Sequence, residues 1–139
     1  DVVSADEKEN HQRMILNFGH TIGHALEKVN NYTLLHGYAV ALGILVESKI
    51  SQLLGYLSRE DFEIIKALFL KLNISGKQLS KMSIDEIIQA TKSDKKIKNN
   101  HVRYILLEKI GKFYHRENLF AHPVSDEIVK KAFNEVSEG

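Results

Sequence analysis

The sequence predicts a mostly α, compact helical domain with one small β-hairpin. Three observations point to it. Apolar residues recur at helical spacing in five separate stretches. One short stretch is instead rich in β-branched and aromatic residues. The single proline, Pro123, lies near the end, so nothing within the chain reads as an interdomain linker. At 139 residues, 43% of them hydrophobic, the chain can bury one core and is too short to make two domains the default.

Met14, Ile15, Phe18, Ile22, Ala25, Leu26 and Val29 repeat with helical spacing, and Asn30-Asn31 supplies a stop. Gly37 to Leu54 predicts a second helix, apolar enough to be buried on most sides, with Gly55 closing it. Ser58 is placed to cap a third helix, with Glu60 and Asp61 in its first turn. Its expected apolar face is Phe62, Ile65, Leu68, Phe69 and Leu72, and its end is near Asn73. Ser83 and Glu86 have capping-box spacing and open a fourth helix through Ile84, Ile87, Ile88 and Ala90 toward Lys92-Ser93-Asp94-Lys95-Lys96. Val102 to Leu107, followed by Gly111 and Lys112 to His115, reads as the hairpin. Ser125 caps a last helix carrying Ile128, Val129, Ala132, Phe133 and Val136.

Lysine plus arginine number 19 against 18 aspartates plus glutamates, so no strong net field attracts nucleic acid or an anionic membrane. The lack of cysteine excludes disulfides, thiolate nucleophiles and cysteine-based zinc sites. No stretch has the roughly 20 apolar residues of a bilayer span, and Asp1 to Asp6 lacks the layout of a signal peptide. A soluble, cytoplasmic protein is the expectation. The chain starts at Asp1 rather than at a methionine, which suggests a piece of something longer.

Four of the seven histidines fall within the first 36 residues. His20 and His24 are four apart and project from one helical face, where they can converge on one metal or one anion. The neutral imidazole is the commonest protein ligand for zinc, but a catalytic zinc usually has three protein ligands, so further donors are needed. His36 is the nearest candidate, and Gly37 beside it would let another backbone or a ligand come close. A His-x-x-x-His pair alone is weak, since such histidines are more often surface or satisfied core residues. Gly19 and Gly23 strengthen it. Each glycine inside a helix costs roughly 1 kcal/mol relative to alanine, which close approach of a ligand or of a neighbouring backbone would explain.

Asp6-Glu7-Lys8-Glu9 reads by itself as a solvated helix face, and Lys95-Lys96 as a cationic helix end. Yet Arg13, Asn17, His20 and His24 step by four, three and four, so one helical stripe would line a wall with guanidinium, amide and imidazoles. Such a wall suits a substrate carrying carboxylate or phosphate, which arginine binds bidentately.

The run Leu16-Asn17-Phe18-Gly19-His20-Thr21-Ile22-Gly23-His24-Ala25-Leu26-Glu27, followed by His36-Gly37-Tyr38-Ala39-Val40-Ala41-Leu42-Gly43, resembles the signature of the 3-dehydroquinate synthases. The resemblance extends to Val2-Val3, Asp6 to Glu9 and Arg13, and to Asp94-Lys95-Lys96, Leu106-Leu107 and Ile110-Gly111. Asn10-His11-Gln12 departs from it, standing where relatives usually carry a glycine. The resemblance implies that residues 1–139 are a C-terminal metal- and substrate-binding helical domain, with an N-terminal NAD-binding α/β domain outside this chain. His20 and His36 would be two ligands of a zinc or cobalt ion, the third being a glutamate of that other domain. His24 would face the substrate phosphate and help its elimination, with Asn17 holding the same region. Arg13 would bind the substrate carboxylate, Glu9 would organise the neighbouring basic groups, and one lysine of Lys95-Lys96 would reach the phosphate.

The implied reaction converts 3-deoxy-D-arabino-heptulosonate 7-phosphate to 3-dehydroquinate and phosphate in the shikimate pathway of aromatic amino acid biosynthesis, a carbon–oxygen lyase step. Transient oxidation of a hydroxyl by NAD acidifies the adjacent C–H, phosphate leaves, reduction restores the alcohol, and an aldol closes the ring. The implied partners are the phosphorylated sugar-acid substrate, the N-terminal domain and, at full length, a second copy as a homodimer. The 139-residue chain alone is expected to fold, bind zinc weakly and be inactive. Other readings are a related sugar-phosphate cyclase such as 2-deoxy-scyllo-inosose synthase, the helical domain of a metal-dependent alcohol or glycerol dehydrogenase, or a non-catalytic helical interaction module. Asn17-Phe18-Gly19 and Lys95-Lys96 favour the dehydroquinate branch.

Overall fold

The computed structural model describes residues 18–31, 34–92, 103–109, 112–114 and 121–138. The first helix among the described residues, α1 (His20–Val29), stops at Asn30 as its sequence predicts, and Asn31 turns the chain with a left-handed φ of 54°. Its start differs from the expectation. Gly19 is the N-cap, with φ 81°, so a regular helix begins only at His20 and Gly23 is the only glycine in its interior. Of the stripe expected from Arg13 to His24, only His20 and His24 fall on this helix, Arg13 and Asn17 lying outside the described residues.

The second helix, α2 (His36–Leu53), is the centre of the molecule. Ala39, Leu42, Leu45, Val46 and Ile50 are buried, and so are the polar residues Glu47, Ser48 and Ser51. Ser51 is satisfied on both sides: its hydroxyl donates to the Glu47 carbonyl at 2.9 Å and accepts from the Leu107 N–H at 2.8 Å, tying the helix to a strand. Ile22 and Leu26 of α1 bury completely against this core. Each such aliphatic side chain contributes about 1.5–3 kcal/mol on removal from water.

Helices α3 (Arg59–Lys71) and α5 (Asp126–Glu138) pack against α2, α4 (Ile84–Lys92) packs chiefly against α1, and a 3-10 helix over Gly76–Lys81 packs against α5. The Ser58 hydroxyl accepts from the Asp61 N–H at 3.0 Å, the expected cap, worth about 1 kcal/mol. Ser83 and Ser125 accept longer bonds of 3.4 Å from the N–H groups of Glu86 and Ile128. The apolar face of α3 is narrower than its periodicity suggests. Phe62 and Ile65 are buried and Phe69 packs on the core, whereas Leu68 and Leu72 are 53% and 67% exposed.

The β structure is richer than one hairpin. Strands β2 (Leu107–Lys109) and β3 (Lys112–Phe113) pair antiparallel as a hairpin, but its first strand starts at Leu107, where the expected strand of residues 102–107 ends. Strand β1 (Arg103–Ile105) pairs instead with β4 (Ala121–Pro123), Tyr104 standing opposite His122. Pro123 lacks an N–H and sits at the last position of its two-stranded sheet. Among the described residues no helix is long and apolar enough to cross a membrane.

Candidate metal centre

The crossing of α1 and α2 is made by glycines. A Cβ placed on Gly43 of α2 would lie 2.1 Å from the Gly19 carbonyl oxygen and 2.8 Å from the Gly23 nitrogen. A Cβ on Gly23 would lie 3.1 Å from the Val40 Cα, and one on Gly19 would lie 2.8 Å from the Val40 carbonyl oxygen. Of the two explanations for glycines beside the histidines, a neighbouring backbone is therefore the one observed. Gly37 has no such neighbour: nothing described lies within 4 Å of the Cβ it lacks.

This close crossing brings His36, the first residue of α2, beside the histidine face of α1. The rings of His20 and His24 are 5.3 Å apart, those of His20 and His36 5.6 Å, and those of His24 and His36 6.1 Å. Two imidazoles on one tetrahedral zinc, with Zn–N near 2.0 Å, have ring centres about 5 Å apart, so the spacing is close to what an ion needs.

The outer nitrogens of two of these rings are already engaged. His20 Nδ1 lies 3.2 Å from the Phe18 carbonyl oxygen, and His36 Nδ1 lies 2.7 Å from Glu27 Oε1. A carbonyl or carboxylate oxygen can only accept, so both rings donate from Nδ1, and in its neutral form each ring would keep the Nε2 lone pair for an ion. The donor set thus fits two ligands of a metal. Among the described residues no group of three His, Cys, Asp or Glu is arranged to hold one.

Of the residues singled out by sequence, the structure gathers His20, His24 and His36. Glu9, Arg13, Asn17, Lys95 and Lys96 lie outside the described residues. A cleft of about 50 Å³ near Lys49, Phe62, Ser75 and Glu135 is lined by none of the histidines.

Two acidic residues near the site escaped the sequence analysis. Glu27 follows His20 by seven and His24 by three, a spacing that puts it on the same face of α1. Glu47 is wholly buried on α2, and neither carboxyl oxygen completes a well-aligned hydrogen bond among the described residues. Burial raises its pKa from 4.5 to about 8, while the nearby backbone N–H groups of Gly19, Ile22 and Ile105 oppose the shift more weakly. Tyr104 is pushed up too, by burial first and by the Glu47 charge second. An acidic residue in a helix normally signals a solvated face, so only the apolar run around Glu47 hinted at its burial.

The fold is one shared with sugar-phosphate cyclases. A structure of 2-deoxy-scyllo-inosose synthase complexed with carbaglucose-6-phosphate, NAD+ and Co2+ superposes with a TM-score of 0.74 at 25% identity, covering 88% of this chain and 35% of that one. The 2-epi-5-epi-valiolone synthase of Streptomyces hygroscopicus subsp. jinggangensis 5008, with NAD+ and Zn2+ bound, shares the fold at a TM-score of 0.73 and 20% identity, over 88% of this chain and 32% of that one. Within this class, the chain belongs to the 3-dehydroquinate synthase C-terminal family, whose model matches residues 1–97. It is 41% identical over 131 residues to the 3-dehydroquinate synthase of Rippkaea orientalis, which is 94% of this chain and 34% of that protein. It is 38% identical over 137 residues to that of Ruminiclostridium cellulolyticum, 98% of this chain and 36% of the relative. The chain thus spans about a third of the length of the curated relatives it matches. The 2-deoxy-scyllo-inosose synthase alternative fits less well, at 25–26% identity.

Proposed function

We propose that this chain is the metal- and substrate-binding part of a 3-dehydroquinate synthase, converting 3-deoxy-D-arabino-heptulosonate 7-phosphate to 3-dehydroquinate and phosphate. The convergence of His20, His24 and His36 at the α1–α2 crossing carries the proposal. His20 and His36, each donating from Nδ1, hold a zinc or cobalt ion through Nε2. His24, on the same face of α1 as His20, faces the substrate phosphate and helps its elimination. Arg13 binds the substrate carboxylate, Asn17 and one of Lys95 and Lys96 hold the phosphate, and Glu9 orders the cations around it. A molecule anchored at both ends stays oriented through successive steps. When bound, zinc supplies Lewis-acid polarisation of substrate oxygens and NAD supplies reversible oxidation.

An NAD-binding N-terminal domain completes the site with the third metal ligand, and the full enzyme works as a cytoplasmic homodimer. Relatives that extend well beyond the matched region, and neighbours crystallised with NAD+ and a divalent metal, support that division of labour.

Zinc titration of the intact, full-length protein tests the central assignment. His20→Ala and His36→Ala are each expected to weaken zinc binding more than about 100-fold, beyond what loss of an outer-shell partner costs. Unchanged affinity in both variants would refute it. The 139-residue chain given NAD and substrate is expected to show no turnover, and measurable product would count against the need for the second domain.

A further inference from the structure

The same helical face that carries His20 and His24 ends in a carboxylate aimed not at solvent but at the third imidazole. Glu27 Oε1 is 2.7 Å from His36 Nδ1, and the two side chains differ sharply in freedom: that of Glu27 is 14% exposed and that of His36 59%. An imidazole so exposed at the first position of a helix would otherwise sample several rotamers and both neutral tautomers.

We propose that Glu27 is a positioning residue for the metal site. It holds the His36 ring against α1 and fixes its proton on Nδ1, so that Nε2 is presented to the ion beside His20. This rests on the reading of His36 as a ligand. The Phe18 carbonyl does the same for His20 from the other end of the site. The two rings thus reach one tautomer by different devices: His20 through the turn at Gly19 that opens its own helix, His36 through a side chain of the neighbouring helix. A carboxylate in this position also strengthens the ring as a donor, and outer-shell partners of this kind typically set metal affinity by 10–100-fold. An exposed ion pair with no such role adds little to folding and would leave the metal untouched.

The test uses the intact protein, with Glu27→Ala, Glu27→Met, Glu27→Gln and His36→Ala, titrated with zinc against a chromophoric chelator and with Co2+ followed by its visible bands. Methionine keeps most of the volume of glutamate but accepts no hydrogen bond from Nδ1, while glutamine retains an acceptor oxygen. Alanine and methionine are expected to weaken zinc binding about tenfold or more and to alter the Co2+ bands, with the metal-free melting temperature nearly unchanged. Glutamine is expected to restore most of the affinity and the wild-type Co2+ spectrum. Wild-type affinity and spectrum in both alanine and methionine variants, with His36→Ala still weakened, would overturn the role of Glu27 and leave the metal site standing. Wild-type zinc affinity in His36→Ala would overturn the ligand assignment and this proposal with it.

Discussion

Gly43→Ala is expected to lower the unfolding free energy by about 2 kcal/mol and the melting temperature by about 6–8 °C. The new Cβ would stand 2.1 Å from the Gly19 carbonyl oxygen and 2.8 Å from the Gly23 nitrogen, and both obstacles are backbone. A flexible side chain could rotate away, but here two helices must move apart. Overpacking of this kind costs about 3 kcal/mol or more, which outweighs the roughly 1 kcal/mol that alanine gains over glycine in a helix interior. Gly37→Ala is the control on the same helix. Nothing described lies within 4 Å of its Cβ, so alanine there should leave the melting temperature unchanged or raise it slightly. Equal melting temperatures for Gly43→Ala and the wild type would show that the helices do not cross as described.

Glu47 gives the chain an unusual dependence on pH. Its folded pKa of about 8 exceeds the ordinary 4.5, so the folded protein holds a proton that the unfolded chain has released. The stabilisation is fully present below about pH 4.5 and is lost as pH rises toward 8. At its steepest the loss is about 1.4 kcal/mol per pH unit. Glu47→Gln cannot titrate. Urea denaturation at pH 5, 6.5 and 8 should therefore show the wild type losing stability relative to the glutamine variant with each step. Parallel profiles would mean that the carboxyl group is solvated in the folded protein.

What could be read from sequence was mostly local. Ser58 caps α3 because its hydroxyl meets an N–H three residues later, and Asn30 ends α1 for equally short-range reasons. The 3-10 helix at Gly76–Lys81 could not be read this way. It is mostly polar, and its place depends on Gly76 packing against the backbone of Val136, 60 residues away in sequence. The pairing of β1 with β4 is hidden for a similar reason, since no turn joins them. Leu68 and Leu72 illustrate the opposite error, where a helical stripe is wider than the core surface that receives it.

At the site, spacing alone put His20 and His24 on one face, and the structure adds His36 from another helix. Gly19 and Gly23 signalled close approach correctly without saying of what. Glu27 was invisible as a partner because its histidine lies nine residues on, across a turn, and no periodicity links residues on different helices.

The glycine crossing also bears on how a metal ion would arrive. Because backbone meets backbone at that point, the separation of the two histidine-bearing helices is settled during folding and not during capture. If His20 and His36 hold an ion as proposed, it would find two donors already near the right spacing, with little chain entropy left to remove from them. Capture at such a pair would then be governed by diffusion and by the shedding of the ion's own water, not by a slow rearrangement of the protein.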